Sequence, residues 1–141
     1  MIIQPILDLV AICAQKGIQN AILSPGSRCA PLTLAFARHP EIHSRTISDE
    51  RSAAFIALGM AQQLGQPVVL VCTSGSAALN YFPAISEAFF QQIPLLILTA
   101  DRPTEWIDQW DGQTIFQEEV YGKHVKKTFR FPDSFEQKDQ V

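Results

Sequence analysis

Val68-Val69-Leu70-Val71-Cys72 runs directly into Thr73-Ser74-Gly75-Ser76. Five apolar, mostly β-branched residues without alternation form the pattern of a strand buried on both faces, and such strands belong to parallel sheets covered by helices. The small polar segment after it punctuates the strand and opens a helical stretch, Ala77 to Phe90. Working outward, the unit repeats. Asn20 to Leu23 reads as a short strand followed by "SPGSR" and a helix over Pro31 to Arg38; Ile42 to Ile47 reads as a less apolar strand near an edge, followed by "SDER" and a helix over Ser52 to Leu64. Leu95 to Thr99 reads as another buried strand, ending at Asp101-Arg102-Pro103. Repeated βα units without a tight hairpin signal predict an α/β, doubly wound, mainly parallel sheet with helices on both faces.

The flanks are less periodic. An amphipathic first helix with Ile6, Leu7, Val10, Cys13 and Ala14 on one stripe stops at Gly17. Trp106 to Val120 reads as a loop followed by a short helix, Val125 to Phe131 as a last strand, and residues 132–141 as a polar tail leading into a linker.

With 141 residues the chain fits one domain. Its charged fraction of 18% is below the roughly 25% of ordinary soluble domains, which implies that another domain or subunit covers part of the surface. A net charge of -3 gives no basic stripe for nucleic acid. Pro5, Asp8 and Lys16 interrupt the apolar N-terminus, so no membrane insertion is expected there. Three widely spaced cysteines, Cys13, Cys29 and Cys72, show neither a disulfide framework nor a zinc pairing and suit a cytoplasmic setting.

In an open parallel sheet, ligands bind outside the carboxyl ends of the strands. Four strand ends here carry polar heads, which brings Arg28, Glu50 and Arg102 within reach of one ligand. Each has a plainer reading. Ser27 could cap a helix around the Pro25-Gly26 turn, and Ser48 could cap the next helix with Asp49 and Glu50 in its first turn. Thr73 to Ser76 could be an anion cradle of backbone N–H groups or a close-packed turn. Arg102 could be a surface ion-pair partner. Their joint placement at one rim favours a binding site.

Together "SPGSRCAPLTLAFA", "DERSAAFIALGMA", "QPVVLVCTSGSAALNYFPAISEAFF" and "PLLILTADRP" resemble the N-terminal, pyrimidine-binding domain of the MenD-type 2-succinyl-5-enolpyruvyl-6-hydroxy-3-cyclohexene-1-carboxylate synthases, thiamine-diphosphate enzymes of menaquinone biosynthesis. The resemblance runs from about Ile18 to Gln117. It implies the thiamine-diphosphate-binding fold and a transferase reaction in which 2-oxoglutarate is decarboxylated and its four-carbon unit adds to isochorismate.

By that resemblance Glu50 is the catalytic carboxyl that contacts the cofactor's aminopyrimidine ring, and Thr73, Ser74 and Gly75 are further cofactor contacts. Ser27, Arg28, Arg102 and Gln113 match positions that resemble binders of the isochorismate carboxylates, a task that suits the guanidinium fork. Ser76 stands where the family commonly has threonine, and Gly112 where it has asparagine. The family's Gly-Asp-Gly and Asn-Asn segments, which hold Mg2+ or Mn2+ and the diphosphate, are absent from this sequence. The resemblance therefore implies half of a site, completed by the protein's own C-terminal domains in a homodimer or homotetramer. Two competing readings remain open at this level: a non-catalytic dimerisation or anion-sensing module of the same fold, and a sugar-phosphate-binding isomerase domain with Glu50 as base.

Overall fold

The computed structural model describes residues 4–107 and 109–131. Its centre is a four-stranded, all-parallel sheet of β1 (Asn20–Leu23), β2 (His43–Thr46), β3 (Val68–Cys72) and β4 (Leu95–Thr99), in the order β2-β1-β3-β4. The apolar run that announces β3 is wholly buried. β2 is an exposed edge. β4 is half-buried rather than buried, because it forms the other edge among the described residues.

Alternate residues of the central strands face two separate cores. Ile22, Val68, Leu70 and Cys72 pack against α3 (Glu50–Leu64), α4 (Ser76–Asn80) and α5 (Phe82–Gln91). Ala21, Leu23, Val69 and Val71 pack against α1 (Gln4–Gln15) and α2 (Ala30–Arg38). The connection from β1 to β2 moves one way along the sheet and those from β2 to β3 and β3 to β4 the other, so crossovers of one handedness put their helices on opposite faces. The direction changes between β1 and β3, and there the loops leaving the two strands part and open a crevice. None of the described helices is long and apolar enough to cross a membrane.

Local chemistry explains where the elements depart from the sequence reading. The helix expected over Ala77 to Phe90 is two helices broken at Tyr81. Pro83 cannot donate to the carbonyl one turn back and its ring crowds it. Tyr81 is fully buried at the break, where its hydroxyl donates to the Val71 carbonyl at 2.8 Å and lies 3.3 Å from Ser24 Oγ. α3 begins two residues earlier than expected, and its N-cap is Asp49 rather than Ser48: the Asp49 carboxylate accepts from Ser52 N–H at 2.7 Å. That backbone bond holds the Asp49 carboxyl below the usual range. Leu7, placed on the buried stripe of α1, is exposed, while Val10 and Cys13 are buried.

No α-helix forms between Trp106 and Val120 among the described residues; a 3-10 turn at Thr104–Trp106 leads into an irregular loop. Positive φ at Trp110, Gln113 and Glu119 is incompatible with a continuous helix. Nor is there a strand at Val125 to Phe131. The segment pairs with none of the four described strands, and Val125 packs beside the cluster around Tyr121. The polar tail at 132–141 lies outside the described residues.

Candidate active site

The crevice between β1 and β3 is an open cleft of about 590 Å³. Pro25, Gly26, Ser27 and Arg28 from the β1 loop form one wall, Glu50 and Thr73 from the ends of β2 and β3 another, and Asp111, Gly112 and Gln113 reach in from the long loop after β4. The turn is tight. A Cβ on Gly26 would lie 2.5 Å from Thr73 Cβ. Gly26 is needed for this close approach and not for a positive φ, which it lacks.

Ser27 does not cap α2. The N-cap is Cys29, without a side-chain capping bond, and Ser27 remains exposed in the cleft. Glu50 is the first residue of α3, half-buried, with its side chain at the cleft. No described hydrogen bond or ion pair engages its carboxyl. The positive end of the helix dipole favours a carboxylate at this position.

Thr73 lines the cleft, while Ser74 and Gly75 are buried behind it. The segment is not an anion cradle. Gly75 N–H donates to Gln117 Oε1 at 2.8 Å and Ser76 N–H to the Gln113 carbonyl at 3.2 Å, so the loop after β4 has taken the donors. Gln113 in turn donates through Nε2 to the Ser74 carbonyl at 2.8 Å, and Gln117 through Nε2 to the Ala100 carbonyl at 2.6 Å. Two glutamines thus lace the loop onto the ends of β3 and β4. Gln117 is a residue the sequence reading missed, since a lone glutamine in an aperiodic stretch gives no signal until its partners are known.

Arg102 is not a surface ion-pair partner: its side chain is only 3% exposed. It does not line the cleft but lies behind Asp111 and Gly112, donating through Nη2 to the Gly112 carbonyl. Arg28 Nη2 lies 3.4 Å from Asp111 Oδ2 and Arg102 Nε lies 3.6 Å from the same oxygen. The two arginines named from sequence therefore meet, at an internal carboxylate that the sequence reading did not single out. The bond from Gly112 N–H, then the two guanidinium charges, hold the Asp111 carboxyl below the usual range.

The groups present fit an aminopyrimidine ring: the Glu50 carboxyl for a ring nitrogen, with Pro25, Gly26 and Thr73 lining the cleft beside it. Among the described residues no cluster of three or more His, Cys, Asp or Glu could hold a metal ion.

Comparison with known proteins identifies the family of the chain. Residues 8–126 match the family model described as thiamine pyrophosphate enzyme, N-terminal TPP binding domain. The chain is 57% identical over 136 residues to the 2-succinyl-5-enolpyruvyl-6-hydroxy-3-cyclohexene-1-carboxylate synthase of Cytophaga hutchinsonii, covering 96% of this chain and 24% of the relative. The synthase of the same name from Christiangramia forsetii is 58% identical over 118 residues, 84% of this chain and 20% of the relative. The chain thus spans about a quarter or less of the length of these curated relatives. Benzoylformate decarboxylase from Polynucleobacter necessarius superposes with a TM-score of 0.73 at 19% identity, over 86% of this chain and 23% of that one, a likeness of fold.

Proposed function

The chain belongs to the thiamine pyrophosphate enzyme family, as an N-terminal TPP-binding domain, and from that premise we propose that it is the pyrimidine-binding part of a 2-succinyl-5-enolpyruvyl-6-hydroxy-3-cyclohexene-1-carboxylate synthase. The full protein would decarboxylate 2-oxoglutarate and add the remaining four-carbon unit to isochorismate. The observation that carries the reading is the 57% identity over nearly the whole chain to a synthase of that name. The cleft, with the Glu50 carboxyl on one wall, Arg28 on the other and Arg102 buried behind Asp111, supports it.

In this reading Glu50 holds the aminopyrimidine ring by hydrogen bonding to its N1′, with Pro25 and Thr73 against the ring. Thiamine diphosphate, when bound, would supply a nucleophilic carbon that adds to the keto group and a cationic ring that accepts the electron pair left by decarboxylation. The chain's own contribution is positional and protonic. The Glu50 carboxyl would hold and exchange a proton at N1′, which would favour the ring form whose exocyclic nitrogen can act as a base. Arg28 and Arg102, with Ser27 and Gln113 beside them, orient the carboxylates of the acceptor through charge-assisted bonds. Mg2+ or Mn2+ and the diphosphate would be held by the protein's own C-terminal domains. Exposed Phe55 and Ile56 on α3 and Leu79 on α4 suit a surface covered by those domains or by a second subunit of a homodimer or homotetramer. A cytoplasmic setting completes the proposal.

The test is an assay of the full-length protein with thiamine diphosphate, magnesium and both substrates. The expected result is carbon dioxide release coupled one to one with loss of isochorismate and dependent on the cofactor. No turnover of either substrate, or turnover indifferent to the cofactor, would overturn the reading.

A further inference from the structure

Arg28 leaves the end of β1 and Arg102 the end of β4, two strands separated by β3. Their guanidinium groups nevertheless converge on one oxygen, Asp111 Oδ2, at 3.4 and 3.6 Å. Both distances are well beyond the roughly 2.7–2.9 Å of a well-formed charge-assisted N–H···O bond. Arg102 Nε is buried without a hydrogen bond, one of two such side-chain atoms among the described residues. A buried guanidinium with an unmet donor is costly unless a carboxylate completes it. Asp111 is therefore a loose occupant of a site built for a carboxylate.

Asp111 is also placed to leave. Its side chain is 47% exposed, its other oxygen accepts from the neighbouring Gly112 N–H at 2.8 Å, and it follows Trp110 and precedes Gln113 by two residues, both at positive φ, where non-glycine backbone is strained. The bonds that anchor the loop at Gln113 and Gln117 do not involve the Asp111 side chain. Rotation of one short side chain away from the arginines would vacate the anion position.

We propose that Asp111 is an internal stand-in for the acceptor's carboxylate: it keeps Arg28 and Arg102 together while the acceptor is absent and is displaced when the acceptor binds. This rests on the reading of the rim as the acceptor site. Binding is then an exchange of one carboxylate for another on a fixed arginine pair, and Asp111 sets the threshold that an incoming anion must exceed. A simple monocarboxylate competes poorly, whereas a ligand with a second anchoring group displaces Asp111.

The experiment is calorimetric titration of the full-length holoenzyme, without 2-oxoglutarate so that no reaction follows, using benzoate and isochorismate as separate probes. Asp111→Asn, which removes the competing charge at constant size, is expected to tighten both by roughly threefold to thirtyfold, the range set by two partly exposed ion pairs. Asp111→Glu, which restores the charge, is expected to return affinity to within about threefold of the starting protein. Unchanged or weakened binding in Asp111→Asn would overturn the proposal and make Asp111 a supporting residue for the arginines. Tightened benzoate binding in a protein that neither binds nor consumes isochorismate would support the exchange and refute the synthase reading instead.

Discussion

Gly75→Ala concentrates the consequences of the loop's attachment in one methyl group. Gly75 has φ +80 and ψ -139, a conformation open almost only to glycine. A Cβ there would lie 1.9 Å from the Gln113 carbonyl oxygen, a backbone atom that cannot swing aside. The loop must therefore lift, and three hydrogen bonds go with it: Gly75 N–H to Gln117, Ser76 N–H to Gln113, and Gln113 to the Ser74 carbonyl. At about 0.5–1.5 kcal/mol each, their loss lowers the free energy of loop opening by roughly 2–4 kcal/mol. Hydrogen exchange of the peptide spanning residues 109–121 in the full-length protein reads this opening directly. Protection should fall by roughly 30-fold to 1,000-fold, since about 1.4 kcal/mol is one factor of ten. Gly59→Ala is the control: it lies within α3 with nothing within 4 Å of the added carbon and should leave the loop unchanged. Loop protection within about threefold of the starting protein in Gly75→Ala would refute the account of how the loop is held.

Arg28→Ala and Arg102→Ala should each raise the KM for isochorismate about tenfold to a hundredfold, the cost of one charge-assisted bond, while the KM for 2-oxoglutarate moves far less in steady-state kinetics. The two variants should differ in exchange: buried Arg102 holds the Gly112 carbonyl, so its loss also deprotects the loop, whereas that of half-exposed Arg28 does not. The Cys72 thiol, pushed up to about 12 chiefly by burial, stays protonated, and iodoacetamide at pH 8 should leave it unmodified in the native protein by mass spectrometry. Because the Asp49 carboxyl is held below its unfolded value, its capping of α3 is fully present above about pH 4 and is lost as pH falls through the folded value. Exchange protection at the start of α3 should fall on acidification, and Asp49→Asn, which caps without charge, should flatten that dependence.

Much of the fold was legible because it rests on local signals. The unbroken apolar run at Val68 to Cys72 and the four-residue strand at Asn20 to Leu23 lie where the pattern puts them. That Arg28 and Glu50 come to one cleft was legible because strand ends in such sheets share one edge. What escaped was fixed by distant partners. Nothing around Asp111 in the sequence tells that Arg28, 83 residues away, will meet it, and the Thr73 to Ser76 turn reads equally as a cradle until Gln113 and Gln117 are seen to occupy its donors. Arg102, expected at the binding rim with a surface ion pair as its plainer reading, is buried because the loop after it folds back over its guanidinium. The break at Tyr81 was legible in principle, since Pro83 announces it.

The most direct test of the central claim, that this cleft holds and activates the aminopyrimidine ring, is exchange of the C2 proton of thiamine diphosphate on full-length protein, followed by NMR. Glu50→Gln keeps the size and helix position of the side chain and removes its acid–base function. Cofactor affinity should be largely retained while exchange slows by a factor on the order of 10² or more, the usual size of a lost acid–base group. Exchange at the rate of the unaltered protein would contradict the claim and reduce Glu50 to a first-turn residue complementing the α3 dipole.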